Sequence, residues 1–141
     1  MRESNLTQVL DWLIAANDMA HAAALVQSLY LYWLHRGLIE EGLGTVGRVL
    51  ADGGLDARGQ AQVLGTIGGL RAHVTSYTSA HDELGKAVDL WRSTGSDPDL
   101  AMALVAFSAA AMEVDGFPAA RAALEEAMAL FSRLGDGWAH A

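Results

Sequence analysis

The sequence predicts an all-α protein of about seven helices, paired antiparallel and stacked, and three observations carry that expectation. Apolar residues recur at steps of three and four along almost the whole chain, and no stretch alternates convincingly with period two. The chain also repeats itself forty residues apart. Ile67-Gly68-Gly69-Leu70, Tyr77, Ala80, Leu84, Ala87, Val88, Leu90 and Trp91 recur as Phe107-Ser108-Ala109-Ala110, Phe117, Ala120, Leu124, Ala127, Met128, Leu130 and Phe131. A fixed period of this length marks stacked units that bury a shared core between neighbours. Finally, 141 residues that are 52% hydrophobic and 18% charged are enough to bury a core and do not describe a disordered chain.

The elements follow in order. A first helix over 5–16 carries the stripe Leu6, Val9, Leu10, Leu13 and Ile14, and Asn17-Asp18 ends it. Asp18 then caps a second helix over 19–36, apolar nearly all round and therefore expected to be buried on several sides. Arg36-Gly37 stops it. A third helix covers 38–51 and ends at Asp52-Gly53-Gly54, and a fourth, over 57–74, starts after Asp56. The fifth, over 78–93 with Ser76 or Thr78 as cap, is broken by Thr94-Gly95-Ser96. Asp97 caps the sixth, over 98–114, with Pro98 in the first turn. After Asp115-Gly116 comes a seventh over 118–134, ended by Gly135-Asp136-Gly137, and Trp138 opens a truncated further helix. The organisation is thus a leading helix (1–18), three repeats (19–54, 55–96, 97–136) and the start of another helix (137–141). The second helices of the pairs align. Gly42, Ala80 and Ala120 are the small positions, Val46, Leu84 and Leu124 the large ones, followed by Val49, Ala87, Ala127 and then Leu50, Val88, Met128.

Small and large positions alternating over helix–turn–helix units resemble the tetratricopeptide repeat, which implies a right-handed α-α superhelix with a concave groove. Ala80, Leu84 and Ala87, with Gly68 twelve residues earlier, match the pattern, as do Ser108, Ala120, Leu124 and Ala127. The proline that usually closes the unit is absent, with Arg92 and Ser132 in its place. The run from Phe117-Pro118-Ala119-Ala120-Arg121 to Phe131, then Leu134-Gly135-Asp136-Gly137-Trp138, is similar to the repeats of bacterial LuxR-type and antibiotic-regulator-type transcriptional regulators with a signalling ATPase module. Trp33-Leu34-His35-Arg36-Gly37 resembles the start of their repeat region, whereas Leu43-Gly44-Thr45-Val46 departs from the Arg-Arg-Trp-Leu usual there. The chain has neither a phosphate loop nor a DNA-binding helix-turn-helix, so the resemblance implies the sensor or interaction part alone.

Composition narrows the function classes. Nine scattered basic residues against a net charge of −8 speak against direct nucleic-acid binding. No apolar run reaches the roughly 18 residues of a membrane span, and the start lacks a signal peptide. Without cysteine there are no disulfides or thiol sites, and a cytoplasmic location fits best.

Gly42-Leu43-Gly44-Thr45-Val46-Gly47 spells the dinucleotide fingerprint GxGxxG, but a helix stop precedes it where a strand is required. As helix interior, these glycines cost roughly 1 kcal/mol each, so the third helix is expected to be the weakest unless they admit a close neighbour. His35, His73 and Glu113 hold equivalent places in the three first helices, a row that the resemblance directs into the concave groove. Gln27, Leu31, Gln62, Met102 and Met112 are expected beside them. A metal is disfavoured there, since helix axes stand about 8–10 Å apart and ligation needs about 2 Å. Groove-lining His73 and Gln62 would be replaceable with little loss of stability. His81, Asp82 and Glu83 read as residues of a helix start, and Arg121 with Glu125 as a surface pair. No catalytic residue, metal ligand or cofactor is indicated. Phe131, Leu134 and Trp138 crowd the C-terminal end, where an apolar surface would favour a partner or a second copy.

These readings converge on non-enzymatic binding of a protein, a peptide or a small effector, within a multidomain transcriptional regulator. A free-standing scaffold is the alternative, and a small helical enzyme a more distant one.

Overall fold

The computed structural model describes residues 3–74 and 77–140, with side chains for 8–73 and 78–135. The described residues form seven helices and no strand: α1 (Glu3–Ala15), α2 (Met19–Arg36), α3 (Ile39–Asp52), α4 (Ala57–Val74), α5 (Tyr77–Thr94), α6 (Asp97–Val114) and α7 (Phe117–His140). The fold is therefore all-α. No helix among the described residues is long and apolar enough to cross a membrane.

Local chemistry sets the helix ends. The Asp18 carboxylate accepts from the His21 amide at the start of α2. Gly37 closes that helix at φ 70°, with the Leu38 amide reaching back to the Trp33 carbonyl at 2.8 Å. Gly53 closes α3 in the same left-handed conformation. Asp56 caps α4 through the Gly59 amide at 2.8 Å. At α6 the boundary moves by one residue. Ser96 is the N-cap, while Asp97 is already helical; the Ser96 hydroxyl donates to Asp99 at 2.6 Å instead of holding a backbone amide. Thr78 lies inside α5, and Ser76 lies outside the described residues.

The expected break at Gly135-Asp136-Gly137 does not occur, and no eighth helix starts at Trp138. Helix α7 continues through both glycines to His140. Gly135 keeps a helical backbone, and glycine weakens a helix by about 1 kcal/mol without ending it unless a left-handed turn follows.

Contacts place α4 at the centre, touching α2, α3, α5 and α6, while α1 rests on α2 and α3, and α7 on α6. Paired ends show consecutive helices running antiparallel. Arg71 near the end of α4 pairs with Glu83 near the start of α5, and Arg133 late in α7 lies 3.6 Å from Asp97 at the start of α6. Arg48 of α3 holds Asp11 of α1 at 2.8 Å. One core joins α1 to α4 through Leu10, Val26, Trp33, Val46, Val49 and Leu70. A second joins α4 to α7 through Ala61, Val88, Trp91, Leu104, Ala127 and Leu130.

The small positions act as anticipated. Gly42, Ala80 and Ala120 are all buried. A Cβ on Gly42 would lie 2.7 Å from the Trp33 ring, and one on Gly68 would lie 2.6 Å from Leu84 Cγ. The large positions diverge. Val46 and Leu84 are 0% and 3% exposed beneath the next helix pair, whereas Leu124 is 41% exposed. The GxGxxG run lies entirely within α3, where only Gly42 meets a neighbour and Gly44 and Gly47 face open space.

Helix α3 thus carries two glycines that serve no contact. Gly44→Ala and Gly47→Ala should each stabilise the protein by roughly 0.5–1 kcal/mol. Gly42→Ala should destabilise it, because the added methyl group overlaps a buried indole. Urea-unfolding midpoints of the three variants at unchanged slope check this, and equal effects at all three positions would contradict it.

Candidate functional site

A hollow of about 180 Å³ opens where α2, α4, α5 and α6 meet. Its floor comes from the sequence of α4. Ala61, Gly65 and Gly69 follow one another at steps of four, giving a narrow strip of small residues flanked by Gln62 and Thr66 of the same helix. Over this strip α2 contributes Gln27 and Tyr30 as one wall. On the other side Asp99, Met102, Ala103 and Ala106 of α6 stand at helical spacing on a single face, and Trp91 of α5 closes the base.

The polar groups of the hollow are ordered. Gln62 is 6% exposed, and its amide Nε2 donates to Gln27 Oε1 at 3.0 Å, joining α4 to α2. Each carboxamide has both donor and acceptor groups, so the pair carries donor and acceptor positions beyond the bond that joins it. Thr66 donates to the Gln62 carbonyl at 2.9 Å. Burial pushes the Tyr30 phenol above its ordinary pKa, so it stays neutral across the physiological range. The Arg58 guanidinium lies 5.6 Å from the centre of the Trp91 ring, and Met102 stands exposed on the rim.

Of the expected groove residues, Gln27, Gln62 and Met102 converge here. The others do not. His35 is eight residues beyond Gln27, and 100° of rotation per residue turns it about 80° away. His73 and Glu113 keep the phase of Gln62 and Met102 but lie eleven residues on, about 16 Å along the axis and past the end of the hollow. His73 instead engages the Gly69 carbonyl of its own helix at 2.8 Å. Leu31 is exposed away from the hollow, and Met112 lines a different one with Phe117, Leu124 and Met128. At the C-terminal end Phe131 is exposed and Leu134 half-buried, while the Trp138 side chain lies outside the described residues. Sequence reasoning passed over Tyr30, Thr66, Trp91 and Asp99. The row Ala61-Gly65-Gly69 was the available signal, because a strip of small residues on one helix requires its neighbours to line the space.

His81 does not cap α5. Its Nε2 meets Asp115 at 2.7 Å in the α6–α7 turn, its Nδ1 meets Asp82 at 3.3 Å, and its ring lies tilted at 42° to that of Phe107, with centroids 5.2 Å apart. The hydrogen bond to Asp115, with the smaller contribution of Asp82, raises its pKa against the opposing effect of burial. Among the described residues no group of three or more histidine, aspartate or glutamate side chains is placed to hold a metal ion.

Fold and hollow together define an all-helical protein with an open groove lined by amide, aromatic and methionine side chains. No family model matches the chain, and no curated protein matches it.

Two outcomes follow from this geometry. Gln62→Ala should lower stability by about 1–2 kcal/mol, against the sequence expectation of little loss, because it removes a part-buried bond between α2 and α4. An unchanged melting temperature would contradict the bridging role. The His81 contribution should be fully present below its unfolded pKa of about 6.5 and lost as the pH rises through the higher folded value. Asp82 and Asp115 face it directly, and Asp89, Arg92 and Glu126 line the same shallow surface hollow. Urea unfolding from about pH 5 to 8 should show a fall in stability that His81→Asn abolishes. An identical pH profile for the variant would contradict this.

Proposed function

We propose that the chain is a non-enzymatic binding module that takes an extended peptide segment in the α2–α4–α6 groove. The carrying observation is the Gln27–Gln62 amide pair set beside a strip of alanine and glycine. A peptide backbone presents one N–H and one C=O per residue, and paired carboxamides answer both. A floor of alanine and glycine admits that backbone closely. Met102 on the rim and Trp91 at the base offer adaptable apolar contact to its side chains. The groove is open and holds no pair of titratable groups with opposed shifts, which favours recognition over acid–base chemistry.

In this reading the helix pairs form a tetratricopeptide-like right-handed superhelix, with α2, α4 and α6 along its concave side. The resemblance to LuxR-type and antibiotic-regulator-type proteins gives the module a context. It would be the sensor or interaction part of a transcriptional regulator, in which ligand binding shifts the population between inactive and active assemblies.

Selection of a displayed random-peptide library against the protein tests the groove. Peptides enriched on the wild type should bind about tenfold more weakly to Gln27→Ala combined with Met102→Ala, as expected for losing one hydrogen bond and one apolar contact. Both side chains are exposed on the groove wall, so the variant should fold. Peptides that bind the variant and the wild type equally, or a selection that yields none, would overturn the proposal.

A further inference from the structure

The third repeat leaves uncovered a face that the first two bury. In α3 and α5 the large positions Val46, Leu84 and Val88 lie under α4 and α6, the helices that follow them in the stack. Their equivalents in α7, Leu124 and Met128, are 41% and 67% exposed. Around them Met112, Phe117 and Phe131 are exposed too, and a hollow of about 500 Å³ runs between α6 and α7 along Ser108, Met112, Ala120, Leu124 and Met128. Isolated exposed apolar residues are ordinary, but five large ones on one face mark an interaction surface. The register of the repeat states what covers such a face in this molecule, which is a helix.

We infer that a second copy of this chain docks here, α7 against α7, about a two-fold axis near Leu124. Two features make the face complementary to itself. Phe117, Leu124 and Phe131 are spaced by seven, with Arg121 and Met128 between them, giving the alternating steps of four and three of a helix-pairing seam. Phenylalanine stands at each end and leucine at the centre, so reversal about Leu124 maps these three positions onto one another and sets Met128 against the small Ala120. An antiparallel copy sets Phe117 against Phe131 of the second copy and Leu124 against its own counterpart. The charge on the face is balanced as well. Arg121 and Glu125 pair within one helix at 2.8 Å, both largely exposed, and the two-fold lets each answer the opposite charge of the other copy. The arrangement leaves the α2–α4–α6 groove open in both copies.

Light scattering of the full chain over a micromolar to millimolar series should show the mass rising to twice the monomer value. Leu124→Lys and Met128→Lys should each return it to the monomer, with circular dichroism melting curves confirming that the exposed-site variants fold. Arg121→Glu and Glu125→Arg should each weaken the dimer, and the two together should restore it. A monomer at every concentration, a dimer that survives both lysine variants, or a dimer indifferent to the single charge reversals would overturn the inference.

Discussion

The fold depends on how closely other helices approach α4. Gly68 and Gly69 are adjacent in sequence and so point about 100° apart around the helix axis. One faces Leu84 of α5 and the other the phenol of Tyr30 on α2. A methyl group at either place would fall well inside van der Waals contact, so two partners close on α4 from two directions. The Tyr30 contact involves the tip of a side chain, which can give way. The Leu84 contact involves a buried branch point, which cannot, and it is the tighter constraint. Leu84 packs there with Ala80 and Ala110, and dispersion declines steeply with small gaps, so this approach sets how well α4, α5 and α6 pack together.

The groove follows from the same economy of side chains. The strip Ala61-Gly65-Gly69 leaves a hollow between α2 and α6, the Tyr30 ring sits over Gly69, and the amide pair ties α2 to α4 beside it. Packing and the lining of the hollow are therefore shared across α4. Gln62 is both a buried structural bridge and a wall of the hollow, and Trp91 belongs to the second core as well as to the groove base. In contrast, the α7 face contributes little to the fold and lies open, which suits it to association.

Much of the architecture was legible in the sequence because period and punctuation are local. The three-and-four spacing and the Gly, Asp and Pro signals place six helices, α1 to α6, to within a residue or two. The end of α7 was misread because a glycine is a stop signal only when its backbone turns left-handed, which composition does not reveal. The site was less legible. Gln27, Gln62 and Met102 line one hollow because they stand near one level of the stack. His35, His73 and Glu113 lie outside that hollow because equivalence between repeats fixes the row on which a residue lies, not whether that level is hollow. Tyr30 and Trp91 escaped because a large aromatic residue in an apolar helix reads as core, and here it is both core and lining. His81 found Asp115 thirty-four residues away, a pairing that no local pattern encodes.

A double-mutant cycle between Gly68 and Leu84, read by urea unfolding, tests the account at its root. If α5 seats against α4 through the missing Cβ, Gly68→Ala destabilises the protein when Leu84 is present. In the Leu84→Ala background the same change becomes neutral or stabilising, as the usual preference of helices for alanine reasserts itself. Equal effects of Gly68→Ala in the two backgrounds would mean that the close approach does not organise the fold.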